Sequence, residues 1–256
     1  MRVNVLSSGS KGNSTFIRSG RTKILIDLGT TSSYVEKELE KLGVDPNEID
    51  AILISHIHID HIKGLKVFIK RYKPVLIVTE KLLYLLNEQI GDFDYQLYDD
   101  KKITIKDLNI NIIKTSHDAG ESVGFIISDK DSSMVHITDT GFINSKYHKD
   151  LTNKNLYVFE SNHDVKMLRE GPYPYHLQQR VISDKGHLSN DQASKYLCKF
   201  IGKDTKAVVF AHISEKNNSE EKVIETFNKE LLKNNIRFDN YIIARQNECS
   251  KEIKIW

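Results

Sequence analysis

The stretch Ser55–Gly64, SHIHIDHIKG, sets three histidines and an aspartate within six consecutive residues of a chain that holds ten histidines in 256. The residues before it, Asp50–Ile54, form an apolar run that predicts a short buried strand. The alternation His56, Ile57, His58, Ile59, Asp60 continues its period of two. That period puts His56, His58 and Asp60 on one side; His61 breaks it, so the strand is expected to end here. Apolar positions Ile62, Leu65, Phe68, Ile69 and Tyr72 then follow helical spacing. The cluster is therefore expected on a strand-to-helix loop. Imidazoles crowded together repel one another when protonated and leave polar atoms unpaired when buried and neutral. A bound cation removes both problems, and imidazole with carboxylate suits zinc or a similar transition ion.

Outside this stretch the composition sets broad bounds. With 39% hydrophobic residues the chain can build a substantial core, and its length allows one large or two small domains. Lysine and arginine number 37 against 35 acidic residues, a formal +2 that neither requires nor excludes an anionic partner. Cys198 and Cys249 are far apart and outside any metal-type spacing, so no disulfide framework is expected and a reducing compartment fits. The start, MRVNVLSSGS, lacks the apolar run of a signal peptide, and no stretch approaches the roughly 18 apolar residues of a membrane span. A soluble cytoplasmic protein with no membrane partner is expected. The oligomeric state is open.

Periodicity predicts strands at Arg2–Leu6, Thr15–Arg18, Lys23–Asp27, Val75–Val78, Tyr95–Tyr98, Lys102–Ile105, Leu108–Thr115, Val123–Ser128, Met134–Asp139, Leu156–Glu160 and Ala207–Ala211. Helices are expected over Ser32–Leu42, Glu80–Gln89, Asn190–Phe200 and near Glu220–Asn234, the first closed by Gly43. No linker or low-complexity segment interrupts the chain, which reads as one domain over residues 1–256. Two sheet-rich halves, each flanked by helices, predict an α/β protein built as a four-layer αββα sandwich with two mixed sheets.

Six residues of chain cannot fill two coordination shells, so strand ends elsewhere should complete a metal site. His117 in TSHDAG, Asp139 in HITDTG and His212 in AHISEKNN each sit where an apolar strand gives out into a loop. Asp27 in LIDLG is a further strand-end carboxylate, expected to orient the histidine loop through hydrogen bonds.

HIHIDH after an apolar strand, followed in order by His117, Asp139 and His212, resembles the metallo-β-lactamase superfamily over nearly the whole chain. SSGSKGNS, ESNHD, GPYPYHLQQRVISDKGHLSN and AHISEKNN narrow the resemblance to its VicX/YycJ/WalJ branch, associated with metal-dependent nuclease activity on DNA. The resemblance implies His56, His58 and His117 on one metal ion, Asp60, His61 and His212 on a second, and Asp139 between them, the ions being zinc or manganese. The GHLSN and AHIS elements are also similar to those of tRNA 3′-processing endonucleases of the superfamily, in which the Gly-His histidine serves catalysis. Two features of the wider superfamily are missing: the long insertion of the β-CASP nucleases and the flexible arm of the tRNA-processing enzymes. Both absences weigh against RNA processing.

Two divalent ions acidify water to hydroxide near neutral pH and absorb charge on an attacked phosphoryl group, which suits phosphodiester hydrolysis. His187, in the turn Gly186–Asn190, is the candidate proton donor to the leaving group, with Glu160 as its acidic partner; with Asp60 these are the candidate catalytic residues. Tyr173, Tyr175 and Arg180 in GPYPYHLQQR, taken as a proline-stiffened loop, offer stacking and phosphate contact to a nucleic-acid strand, and so does Lys63, which with Lys66, Lys70 and Lys73 forms a helix stripe. Ser8 and Asn13 are expected to line the cleft. His163 and His176 have no assigned role. The expected activity is a DNA nuclease, with 5′→3′ exonuclease action implied by the resemblance alone. The rivals are a small-molecule hydrolase cleaving a thioester, lactone or cyclic phosphodiester, and a non-catalytic regulatory module.

Overall fold

The computed structural model describes residues 1–98 and 102–256. Strands β1 (Arg2–Ser7), β2 (Ser14–Ser19), β3 (Thr22–Ile26), β4 (Ala51–Leu53), β5 (Val75–Val78) and β6 (Tyr95–Leu97) share one sheet. The second contains β7 (Lys102–Ile105), β8 (Leu108–Lys114), β9 (Val123–Ser128), β10 (Ser133–Ile137), β11 (Leu156–Glu160), β12 (Ala207–Ala211) and β13 (Tyr241–Ile243). A short C-terminal strand, β14 (Ile253–Lys254), returns to the first sheet and pairs antiparallel with β1. Each sheet is mixed. In the first, β1, β2 and β3 are antiparallel and β3, β4, β5 and β6 run parallel. In the second, β7 to β10 are antiparallel and β10 to β13 run parallel.

Alternation along the strands builds the layers. Ile24 and Ile26 of β3 point between the sheets, where they meet Ile110, Phe125, Val158 and Val209. Leu25 points the other way, into a cluster with Val35 and Leu39 of α1 (Ser32–Lys41), Phe68 of α3 (Leu65–Tyr72) and Leu82 of α4 (Glu80–Ile90). On the far side, Tyr157, Phe159 and Phe210 pack beneath Leu197 and Phe200 of α8 (Asn190–Phe200) and Phe227 of α9 (Glu220–Lys233). The result is helix, sheet, sheet, helix, the four layers predicted. Each such side chain, fully buried, contributes about 1.5–3 kcal/mol by leaving water.

Several expectations are corrected. The strand before the histidine cluster stops at Leu53, and the alternation does not continue it. His58 instead takes the N-cap position of a short helix, α2 (Ile59–Ile62), so Asp60 and His61 project from a helical turn, and His56, His58 and Asp60 share no strand face. The expected helix Ile62–Tyr72 is interrupted at Lys63 and Gly64, and α3 begins at Leu65. GPYPYHLQQR is not a loop throughout: Pro174 caps a helix, α7 (Tyr175–Ile182), for which proline is well placed because it needs no amide donor there. Short helices α5 (His148–Leu151) and α6 (Val165–Glu170) and strands β13 and β14 carried too few residues to show a period.

Candidate metal centre

Strand ends deliver the site. Asp27 follows β3, Asp139 lies two residues beyond β10 and His212 follows β12, and all three adopt the left-handed backbone conformation, with φ of 57°, 55° and 54°. Such a φ is uncommon for a residue with a side chain, and here it turns each one out of its strand toward a common point. The histidine loop is fastened by main-chain hydrogen bonds from Asn13 N to Asp60 O (2.8 Å) and Leu28 N to His61 O (2.8 Å). Gly29 allows this approach, since a Cβ there would stand 1.6 Å from Asp60 O.

The side chains form two adjoining sets whose polar atoms lie within 4.8 Å of one another: His56, His58 and His117, and Asp60, His61 and His212. Asp139 stands between them, with Oδ1 3.7 Å from His117 Nε2 and 3.5 Å from His212 Nε2, and Oδ2 3.1 Å from His61 Nε2. Most of the imidazoles have an outward nitrogen with a partner. His61 Nδ1 faces Asp27 Oδ2 at 2.7 Å and His212 Nδ1 faces Glu160 Oε1 at 3.0 Å. His56 Nδ1 faces Ser55 Oγ at 3.0 Å, and His117 Nδ1 faces the Gly186 carbonyl at 3.1 Å. Ser55 Oγ donates in turn to Asp27 Oδ2 at 2.6 Å. Donation of the outward N–H leaves the inward nitrogens as bare lone pairs converging on one space.

That arrangement fits a cation. Among the described residues, His56 Nε2, His212 Nε2 and Asp139 Oδ2 have no hydrogen-bond partner and are buried, which is costly unless something positive accepts their electron pairs. The electrostatics agree. Burial disfavours protonation of His61, yet Asp139 and Asp27 outweigh it and lift its pKa to about 10. His212 is raised in the same way, against burial, by Asp139, Asp60 and Glu160. In the other set burial dominates and pushes His56, His58 and His117 down. Glu160 is fully buried but held down to about 2 because His187 and His212 outweigh its burial. It accepts from Asp139 N and Thr140 N (both 3.2 Å), Leu188 N (3.0 Å) and His187 Nδ1 (2.8 Å) as well as from His212.

The sequence pattern of the metallo-beta-lactamase superfamily matches residues 8–212, which carry all of these groups. The chain belongs to that superfamily. It is 33% identical over 227 residues to exodeoxyribonuclease YycJ of Bacillus anthracis, covering 86% of this chain and 85% of the relative. It is also 33% identical over 226 residues to exodeoxyribonuclease WalJ of Streptococcus pneumoniae serotype 2, covering 86% and 84%. The chain is thus of the YycJ/WalJ-like branch. Among solved structures, the metallo-beta-lactamase fold protein YhfI from Bacillus subtilis superposes with a TM-score of 0.71 at 15% identity, covering 97% of this chain and 98% of that one. Membership makes the chain a metal-dependent hydrolase that uses divalent ions, and the His/Asp clusters are where it has groups to hold them.

The remaining predicted residues fall at varied distances from this cluster. His187 lies beside it, its ring 5.1 Å from that of His117 and 5.2 Å from that of His212. Ser8 and Asn13 are close but buried, and both are tied to the site's walls. His212 N donates to Ser8 Oγ (2.8 Å), and Asn13 Nδ2 sits 3.1 Å from His61 Nε2. Arg180 reaches the rim, where Asp118 engages it. Tyr175 is 75% exposed at the start of α7, while the half-buried Tyr173 has the Lys216 ammonium over its ring. Lys63 is exposed, as are Lys66, Lys70 and Lys73, and among the described residues none of the four is ion-paired. His163 is buried with Nδ1 unpartnered, and His176 is exposed. Ser55 and Asp118 gave no sign of their contacts beyond standing next to His56 and His117 in the chain. No described helix is long and apolar enough to cross a membrane.

Proposed function

We propose that the chain is a two-ion phosphodiesterase that acts on DNA as a 5′→3′ exonuclease, with zinc or manganese as its ions, working as one cytoplasmic domain. The names of the YycJ and WalJ relatives support DNA as the substrate and attack from an end, and the 5′→3′ direction rests on the family resemblance. The observation that carries the reading is the His187–Glu160 dyad, joined at 2.8 Å and placed beside the cluster. Cleavage of a phosphodiester expels an alkoxide, which needs a proton, whereas cleavage of a thioester expels a thiolate, which departs without one. Glu160 accepts from Nδ1 of His187 and fixes the ring, so Nε2 is the atom that holds the proton for the departing oxygen. When bound between His56, His58, His117, Asp139, Asp60, His61 and His212, divalent ions supply Lewis acidity and an acidified water. Asp27 and Glu160 keep the histidine lone pairs turned inward, and the exposed side chains of Tyr175 and Lys63 offer a face for a base and a charge for a phosphate.

The test compares His187→Ala with the parent on two substrates. On DNA the variant should lose about 10²–10⁴-fold in rate while keeping its ions. On a diester with a p-nitrophenolate leaving group, which departs without a proton, it should run close to the parent. Equal loss on both substrates would remove His187 from the donor role. Faster turnover of a thioester, lactone or cyclic phosphodiester than of DNA would move the chain to the small-molecule reading.

A further inference from the structure

We propose that Asp118 and Arg180 are a positioning pair that holds His58 and the loop carrying His187 in one fixed relation across the mouth of the site. His58 is the exception among the clustered histidines. Its Nδ1 faces inward, 3.2 Å from His117 Nε2, but among the described residues its outward Nε2 has no partner at hydrogen-bond distance. Facing it is Asp118 Oδ1, at 3.8 Å, an atom that also lies 3.6 Å from His117 Nε2. Asp118 is fixed there by a two-pronged contact, Arg180 Nε to Oδ2 at 2.5 Å and Nη2 to Oδ1 at 3.2 Å, a geometry that only a guanidinium gives. The same contact holds the Asp118 carboxyl below its usual range.

Arg180 is in turn rigidly joined to His187. His187 N donates to Val181 O (2.9 Å) and Gly186 N to Ser183 O (2.8 Å). A Cβ on Gly186 would stand 2.4 Å from Arg180 O and 2.1 Å from Val181 O, so the two stretches of main chain touch. The carbonyl of the same Gly186 receives His117 Nδ1. One ion pair therefore links the residue next to His117 with the loop that bears His187, and it places a carboxylate on the open side of His58, which is 32% exposed. An ion pair with side chains 55% and 30% exposed contributes little to stability. A merely structural role would make its loss nearly silent, and a positioning role would not.

This inference rests on the roles proposed for His58 and His187, but its readouts use no substrate, so a failed nuclease assay leaves it standing. Zn²⁺ affinity is measured by competition with a chromogenic chelator, and amide hydrogen exchange is followed over residues 183–188. Arg180→Ala and Asp118→Asn should each weaken the Zn²⁺ assigned to His56, His58 and His117 by about 10–100-fold, the usual cost of losing an outer partner of a ligating histidine, and should speed exchange in that segment. Arg180→Lys keeps the charge without the fork and should fall between them and the parent. Thermal melts near the parent's confirm that the variants are folded. The proposal is overturned if both Arg180→Ala and Asp118→Asn bind Zn²⁺ within about twofold of the parent and exchange at the parent's rates.

Discussion

Behind His61 and His212 stand buried carboxylates, Asp27 at 2.7 Å and Glu160 at 3.0 Å. Behind His56 and His117 stand a serine hydroxyl and a backbone carbonyl, and behind His58 a carboxylate 3.8 Å away. The inward faces differ in the same sense, because the first set also contains Asp60 and lies closer to Asp139. A carboxylate that accepts the outer N–H makes an imidazole a better donor to a metal, so chemically similar ligands are unequal in strength. The two halves of the site are therefore expected to hold their ions unequally, the Asp60/His61/His212 half more tightly.

Glu160→Gln should have the largest effect. The amide would turn donors toward some of the five groups that now donate to the carboxylate, and both His212 and His187 would lose their orientation. The expected loss on DNA is about 10²–10⁴-fold, read as kcat/KM beside metal content. A loss smaller than about tenfold would show that Glu160 is not the organising group. A milder change separates the two halves directly. Asp27→Asn removes the carboxylate behind His61 and should weaken ion binding by about 10–100-fold, while Ser55→Ala, which removes the hydroxyl behind His56 and its contacts with His61 Nδ1 (3.2 Å) and Asp27 but leaves the Asp27 carboxylate in place, should cost less than about tenfold. Equal effects in a chelator competition would erase the distinction between carboxylate-backed and hydroxyl-backed ligands.

The smallest expected effect comes from a buried histidine outside the cluster. His136 has the Thr15 hydroxyl at 3.2 Å, and burial pushes its pKa down to about 4, whereas His61 is lifted to about 10. A histidine with a depressed folded pKa stays neutral in the fold while the unfolded chain takes up a proton. Its contribution is complete above about pH 6.5 and is lost as pH falls toward 4. Between pH 7 and 5.5 the parent should therefore lose about 1 kcal/mol more stability than His136→Gln, measured by urea denaturation. Parallel losses in the two proteins would mean that His136 does not titrate as its surroundings dictate.

Much of the site could be read from the chain because its chemistry is local. Three histidines and an aspartate in HIHIDH leave few other uses for that composition, and Asp139 and His212 announce themselves by following apolar strands. The exact path of the loop was not legible: alternation suggested a continuing strand, but His58 caps a helix, and the choice depends on main-chain bonds to Asn13 and Leu28, far away in sequence. Two prolines made GPYPYHLQQR look like a loop, although Leu177 and Val181, four residues apart, carry the spacing of α7. Contacts such as Asp118 with Arg180, 62 residues apart, leave no local pattern at all.

The claim on which the rest depends is that the cluster holds two divalent ions of unequal strength. It is tested most directly by elemental analysis of Zn²⁺-loaded protein during stepwise extraction with a chelator. The parent should bind two equivalents and lose them in two separate steps, and His58→Ala should bind one equivalent and lack the earlier step. A stoichiometry that never exceeds one, left unchanged by Asp60→Asn and His212→Ala, would contradict the two-ion site. Two equivalents lost in a single step would contradict its asymmetry.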